Sequence, residues 1–139
     1  MSKKRKKTGL EPAIPKRKNP TKTEQSNFPI FSFRFIHKDY CLEQCSNEEK
    51  KMLIEQIVKI SKLSWIELTL SHRHGVGSEK IENRSLINKI PKSFIDVEKE
   101  PIKFLLAFRF DGLKSFVGYR LENVFYIFFI DNKFSAYKH

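Results

Sequence analysis

The order of apolar and polar positions divides this chain into a few elements. Residues 28–37, FPIFSFRFIH, alternate: Phe31, Phe33 and Phe35 fall on one side, Ser32 and Arg34 on the other. A period of two predicts a strand with one buried face. At Ser46-Asn47-Glu48-Glu49 the period changes. Ser46 followed three residues later by Glu49 is a capping box, in which each side chain satisfies the other residue's backbone amide. A helix over about 47–62 follows, with Leu53, Ile57 and Ile60 as its buried stripe and Ile54 and Val58 widening it. Ser64 and Glu67 repeat the capping spacing and predict a short second helix over about 65–71. Ile66, Leu68 and Leu70 alternate with Glu67, Thr69 and Ser71, which keeps a strand open for the same stretch.

Residues 72–100 are polar and irregular, with His72, Arg73, His74, Gly75 and Gly77 at the start and Pro91 inside. A helical turn near 83–89 breaks the stretch, and connections of this length are often functional. From Ile102 the pattern is β. Ile102, Phe104, Leu106, Phe108 and Phe110 share one face; Lys103, Leu105, Ala107 and Arg109 share the other. Asp111-Gly112 signals a turn, residues 115–121 a strand, and Glu122-Asn123 a second turn, in which Asn tolerates positive φ. VFYIFFI at 124–130 is apolar on both faces, as a central strand covered on both sides would be. Asp131-Asn132-Lys133 turns the chain into FSAYKH, a final short strand. The fold class is α+β: an N-terminal strand, one or two helices, then a three- to four-stranded antiparallel meander.

Charge changes the picture more than composition does. The 139 residues are 40% hydrophobic, enough for one core and one domain over 28–139. Lys and Arg number 27 against 16 Asp and Glu, a net charge of +11, which points to an anionic partner, most simply nucleic acid. Residues 1–27 concentrate that charge in Lys3, Lys4, Arg5, Lys6, Lys7, Lys16, Arg17, Lys18 and Lys22, against only Glu11 and Glu24. With Pro12, Pro15 and Pro20 and few apolar residues, this basic tail is expected to be disordered. It would strengthen phosphate binding without selecting a sequence. A solubilising tail and a bipartite localisation signal, KKRKK with KRK, are the other readings. No apolar run reaches about 18 residues and no apolar stretch follows the basic start, so neither a membrane span nor a secretory signal is expected. Two cysteines fit a reduced, cytoplasmic setting.

A strand, one or two helices and a C-terminal antiparallel meander in a small basic chain resemble the RelE/YoeB/HigB group of bacterial toxins, over about residues 28–139. FRFDGLKSFVGYRLENVFYIFFIDNKFSAYKH is similar to the end of those proteins: an Arg-bearing strand, a tight hairpin, a second Arg-bearing strand, an apolar central strand, then Tyr or His at the tail. The resemblance implies a metal-independent endoribonuclease that cuts mRNA, usually on the ribosome, uses no cofactor, and is silenced by an antitoxin protein. The chain departs from the group in its long segment 72–100 and its added tail. It also resembles small phage- and plasmid-type proteins that end in a similar aromatic strand with a terminal Tyr and His.

Cleavage of RNA by its own 2′-hydroxyl needs a base, a cation on the crowded phosphate, and an acid for the leaving oxygen. Arg109 and Arg120 are the candidate clamps, because guanidinium can bind phosphate through two bonds. Tyr137 or His139 could be the acid or base if the tail folds back over the sheet. By analogy with the acidic residue before the meander in that group, Glu79 or Glu67 would be the base. Each has an ordinary structural reading: surface or ion-pair arginines, a frayed terminus at His139, a capping role for Glu67. Tyr119, Phe125 and Tyr126 read as core. His72-Arg73-His74 through Lys80 could bind phosphate beside the exposed amides of Gly75 and Gly77, so His72, Arg73, His74 and Lys80 join the tail as candidate nucleic-acid contacts. Cys41 and Cys45 with His72 and His74 would make a Cys2His2 set, but two ordinary thiols are the simpler reading and no metal is expected. The alternatives to a nuclease are a non-catalytic RNA- or DNA-binding module, and an accessory protein that binds a partner through a Phe-rich sheet edge.

Overall fold

The computed structural model describes residues 27–70, 78–98 and 100–137. The basic residues of the tail, His72, Arg73, His74 and His139 lie outside the described residues. In chain order the elements are β1 (Ile30–Ser32), α1 (Asn47–Ser61), α2 (Trp65–Leu70), β2 (Ser78–Glu82), α3 (Lys92–Ile95), β3 (Phe104–Asp111), β4 (Lys114–Leu121) and β5 (Val124–Asp131). The strands form one sheet in the order β1-β5-β4-β3-β2. β1 runs parallel to β5 and every other pair is antiparallel. The fold is therefore α+β on a mixed five-stranded sheet.

The meander follows the sequence closely because all three of its strands bury apolar residues on both faces, β5 most completely. On the first face, Leu105, Ala107, Val117, Phe128 and Phe129 pack under Phe35, Ile90, Phe94, Ala136 and Tyr137. On the second, Phe108, Phe116, Phe125, Ile127 and Ile130 pack under Leu53 and Ile60 of α1 and Trp65 and Leu68 of α2. Phe108 and Phe116 stack with centroids 5.5 Å apart, and Phe125 meets Phe108 edge-on at 5.2 Å. Val117 pairs with Phe129 but Gly118 with Ile127, so Phe128 is an extra residue bulged out of β5 onto the first face. At that irregularity a Cβ on Gly118 would collide with the Tyr126 carbonyl oxygen, so the position admits glycine alone.

α1 begins as its sequence dictates. The Glu49 amide donates to Ser46 Oγ (3.1 Å) and the Ser46 amide to Glu49 Oε1 (2.7 Å). Lys114 Nζ reaches Glu49 Oε2 at 2.8 Å and Asp111 Oδ2 at 3.4 Å, tying the helix start to the β3–β4 hairpin. The Lys114 hydrogen bond, followed by that of the Ser46 amide, holds the Glu49 carboxyl down at about 2. The same carboxylate raises the pKa of Lys114. The second capping box also forms: the Ser64 amide donates to Glu67 Oε1 (2.8 Å) and the Glu67 amide to Ser64 Oγ (3.1 Å). That settles the second segment as a helix.

Several expectations need correction. The first strand is three residues, not ten. The Ile36 amide bonds back to the Phe33 carbonyl at 3.2 Å, and this turn sends Phe35 to the first face while Phe31 stays with the second. Phe33 is left exposed. Ile54 and Val58 do not widen the buried stripe; both are about half exposed, at 49% and 46%, because α1 seats a single narrow row on the sheet. Ile102 precedes β3 and packs on the first face. Segment 72–100 contributes an unanticipated edge strand, β2, and the short α3. In the second hairpin it is Glu122, not Asn123, that has positive φ (+57°), matching Gly112 (+59°) at the first position of the other turn. Among the described residues of the tail, 134–137, Tyr137 makes a single bridge to Leu86 and no strand is present.

Two outcomes follow from these contacts. Gly118→Ala should destabilise the fold by about 1–3 kcal/mol through the forced shift of β5, read as a lower urea midpoint at unchanged slope. The Glu49 carboxyl is depressed on folding, so its contribution is complete above about 4.5 and is lost as pH falls toward about 2. Circular dichroism during acid titration should show Glu49→Gln less stable than the parent at neutral pH, with the gap closing across that window.

Candidate functional site

One end of the first sheet face turns polar. Arg109 of β3 lies directly opposite Ser115 of β4, and Ser115 directly opposite Asp131 of β5. Three polar side chains thus continue the row that Ala107, Val117 and Phe129 keep apolar. Glu79 of β2 pairs with Ala107, one step diagonal from Arg109. Its Oε1 stands 3.9 Å from Arg109 Nη2, and the two side chains are 55% and 57% exposed. A pair this open is worth about 0–1 kcal/mol, so the guanidinium can be shared with an incoming anion.

Tyr137 reaches this end because the chain leaving β5 is folded back. Asp131, 1% exposed, accepts the amides of Ser135 (2.8 Å) and Ala136 (3.1 Å) on Oδ1. The Ile87 amide then donates to the Ala136 carbonyl at 2.9 Å. Tyr137 is buried, and burial pushes its phenol pKa up. The Ser115 hydroxyl opposes that shift, the charges of Glu79 and Asp131 add to it, and Arg109 opposes it. The phenol is therefore neutral at physiological pH, within the field of Glu79, Asp131 and Arg109.

Three of the sequence-derived residues, Glu79, Arg109 and Tyr137, come together. Arg120 does not join them. It pairs with Phe125 on the opposite face of the sheet, five residues beyond Ser115, or about 17 Å along β4. Its guanidinium lies over the Trp65 ring at 4.4 Å, and Nε donates to the Glu122 carbonyl at 2.7 Å. Burial lowers its pKa. The expected two-arginine clamp therefore does not form, because alternation along β4 puts even and odd positions on different faces. Glu67 is occupied in its capping box. Lys80 sits over the Phe104 ring at 5.4 Å, opposite Leu106 and on the other face from Glu79. Cys41 is half-buried and Cys45 buried, both as free thiols. The Cys45 thiol is raised by burial first and by Glu49 second. The remaining candidates of the zinc set, His72 and His74, lie outside the described residues. The edges of the sheet are the charged β2 and the short β1, which has Phe28, Ile30 and Phe33 exposed in or beside it.

Sequence reasoning passed over Ser115 and Asp131. Their signal was a polar residue at matching ends of two apolar strands. It also passed over a polar cleft beside the exit turn, about 170 Å³ in volume, where Asp39, Tyr40, Gln44, Asn88, Asn132, Lys133 and Ser135 meet. A more apolar hollow of about 300 Å³ lies next to it and shares Asn88.

No helix among the described residues is long and apolar enough to cross a membrane. No group of three or more His, Cys, Asp or Glu among them could hold a metal ion. The fold and site define a small basic α+β protein with an arginine–glutamate–tyrosine cluster at one end of a mixed sheet. Set against family models, curated proteins and solved structures, the chain has no match.

The separation of the two arginines has a measurable consequence. Arg120→Ala should cost about 1 kcal/mol, through the lost ring contact and carbonyl bond. Arg109→Ala should change stability by less than about 0.5 kcal/mol. Urea unfolding of the two variants checks the difference.

Proposed function

We propose that this protein binds RNA and takes a phosphodiester at the Arg109 end of the sheet. The observation that carries the reading is an exposed guanidinium held on a rigid strand beside a carboxylate and a buried phenol. The net charge of +11 supplies the general attraction to a polyanion.

The stronger form of this reading is cleavage, the activity that the toxin resemblance implies. Glu79 takes the 2′-hydroxyl proton, the 2′-oxygen attacks phosphorus, and the bond to the 5′-oxygen breaks. The products are a 2′,3′-cyclic phosphate and a 5′-hydroxyl, the latter protonated by water. Arg109 neutralises the charge that builds on the phosphoryl oxygens. Tyr137 is too buried to be the acid; as a neutral phenol it supports the position of Arg109. In this form the chain acts on mRNA, with a cognate protein to silence it.

A second reading, RNA binding without cleavage, is favoured by the position of Arg120. One guanidinium suffices to hold a phosphate, whereas a crowded transition state gains from two.

The experiment is a labelled single-stranded RNA incubated with the full chain, followed for binding by anisotropy and for products by gel. Affinity should fall steeply with salt, and Arg109→Ala should weaken it. If cleavage occurs, Glu79→Gln should slow it by about 10²-fold or more with binding retained. Binding with no product selects the second reading. Absence of salt-sensitive binding sinks both.

A further inference from the structure

The polar cleft beside the exit turn is built to receive something small. Its volume is about 170 Å³, below the roughly 300–1,000 Å³ of a drug-sized pocket. That suits a single planar ring with a few polar atoms and is too small for a whole nucleotide or a drug-sized ligand.

Its hydrogen-bonding groups are fixed at one end and unspent at the other. The Tyr40 hydroxyl is used up: it donates to the Ser135 carbonyl at 3.1 Å and accepts from Asn88 Nδ2 at 2.7 Å. Asn132 Nδ2 donates to the Gln44 carbonyl (2.8 Å) and Glu49 Oε1 (3.2 Å). Gln44 Oε1 accepts from the Cys41 amide (3.0 Å) and thiol (3.1 Å). These anchors leave the Asn88 and Asn132 side-chain oxygens as acceptors and Gln44 Nε2 as a donor, with the Asp39 carboxylate and Lys133 on the same lining. Carboxamides clamped in this way need little reordering on binding.

We propose that this cleft takes one unstacked base of single-stranded RNA by its hydrogen-bonding edge, and that it prefers a base with an exocyclic amino group, adenine or cytosine. The inference rests on the RNA reading above and adds a base-selecting subsite to it. A free anion would want donors only; here acceptors predominate, and they suit an amino group next to a ring nitrogen that Gln44 can serve. Position supports the link to the phosphate site. Asn132, Lys133 and Ser135 belong to the turn that Asp131 folds, and Asp131 stands two strand spacings from Arg109 across Ser115. At about 4.8 Å per spacing the two α-carbons are about 10 Å apart. Asn132 follows Asp131 directly, so a phosphate on Arg109 and a base in the cleft are within reach of one RNA strand. Lys133 at the rim meets the backbone beyond that base.

The test uses the full chain and three fluorescent homopolymers, oligo(A), oligo(C) and oligo(U), in anisotropy titrations. Oligo(A) or oligo(C) should bind at least about fivefold tighter than oligo(U). Asn88→Leu, which removes the Asn88 carboxamide from the cleft at similar size, should abolish the preference, and Arg109→Ala should weaken all three alike. Should Asn88→Leu fail to fold, the wild-type side-chain amide resonances of Gln44, Asn88 and Asn132 give the same answer: they should shift with the preferred oligomer and stay put with oligo(U). Equal affinity for all three, unmoved amides, or a preference that survives Asn88→Leu would overturn the base subsite while leaving RNA binding in place. If no oligomer binds, the RNA reading fails and the subsite with it.

Discussion

The burial of β5 on both faces is the constraint from which the rest of this structure follows. Phe125, Ile127, Phe128, Phe129 and Ile130 are all fully shielded from solvent. At about 1.5–3 kcal/mol per large apolar side chain, that strand supplies a large share of the driving force for folding. Such a strand cannot sit at an edge or face water, so it needs a neighbour on each side and a layer above and below. β4 and the parallel β1 are the neighbours. The α1–α2 pair is one layer, and the segment carrying Ile90, Phe94 and Tyr137 is the other. The extra residue at Phe128 follows from the same demand: it sends two consecutive rings to the side where only a short helix and loops are available to cover them.

The polar end of the first face depends on that core. Arg109, Ser115 and Asp131 lie near the hairpin and the exit turn, with Ser115 and Asp131 still covered and Arg109 open to solvent. Asp131 is the hinge of the arrangement. Its carboxylate satisfies two amides of the returning chain, which brings Tyr137 onto the sheet and leaves the next residues as the wall of the cleft. A single buried carboxylate thus serves both places where we propose that RNA is held.

The sequence announced what depends on local pattern. The three meander strands, both capping boxes and the two-sided apolar strand were legible, since each is written within eight or so consecutive residues. What escaped was nonlocal. Phe33 and Phe35 alternate with Phe31 as a strand would, yet a turn sends Phe31 and Phe35 to opposite sides. Ile54 and Val58 look like core because a helix pattern gives the width of its apolar stripe but not how much of it meets the sheet. β2 was hidden because SEKIE is an edge strand, with only Ile81 buried. For the candidate site, Glu79, Arg109 and Tyr137 were chosen by residue chemistry and the fold brings them near one another, whereas Arg120, chosen on the same ground, lies on the other face. The residue type said that it could hold a phosphate; only the parity of its position along β4 relative to Arg109 said that it could not do so there. Asn88 and Asn132, far apart in the chain, had no local reason to be grouped.

The outermost strand carries one more consequence. β2 is five residues long, with Glu79, Lys80 and Glu82 around a single inward isoleucine, and β1 at the other margin is only three residues. Unpaired strand margins invite stacking into fibrils when they are long, flat and greasy; short ones with alternating charge do not. In a protein this rich in phenylalanine, margins this short offer little backbone template for the sheets of neighbouring copies to join.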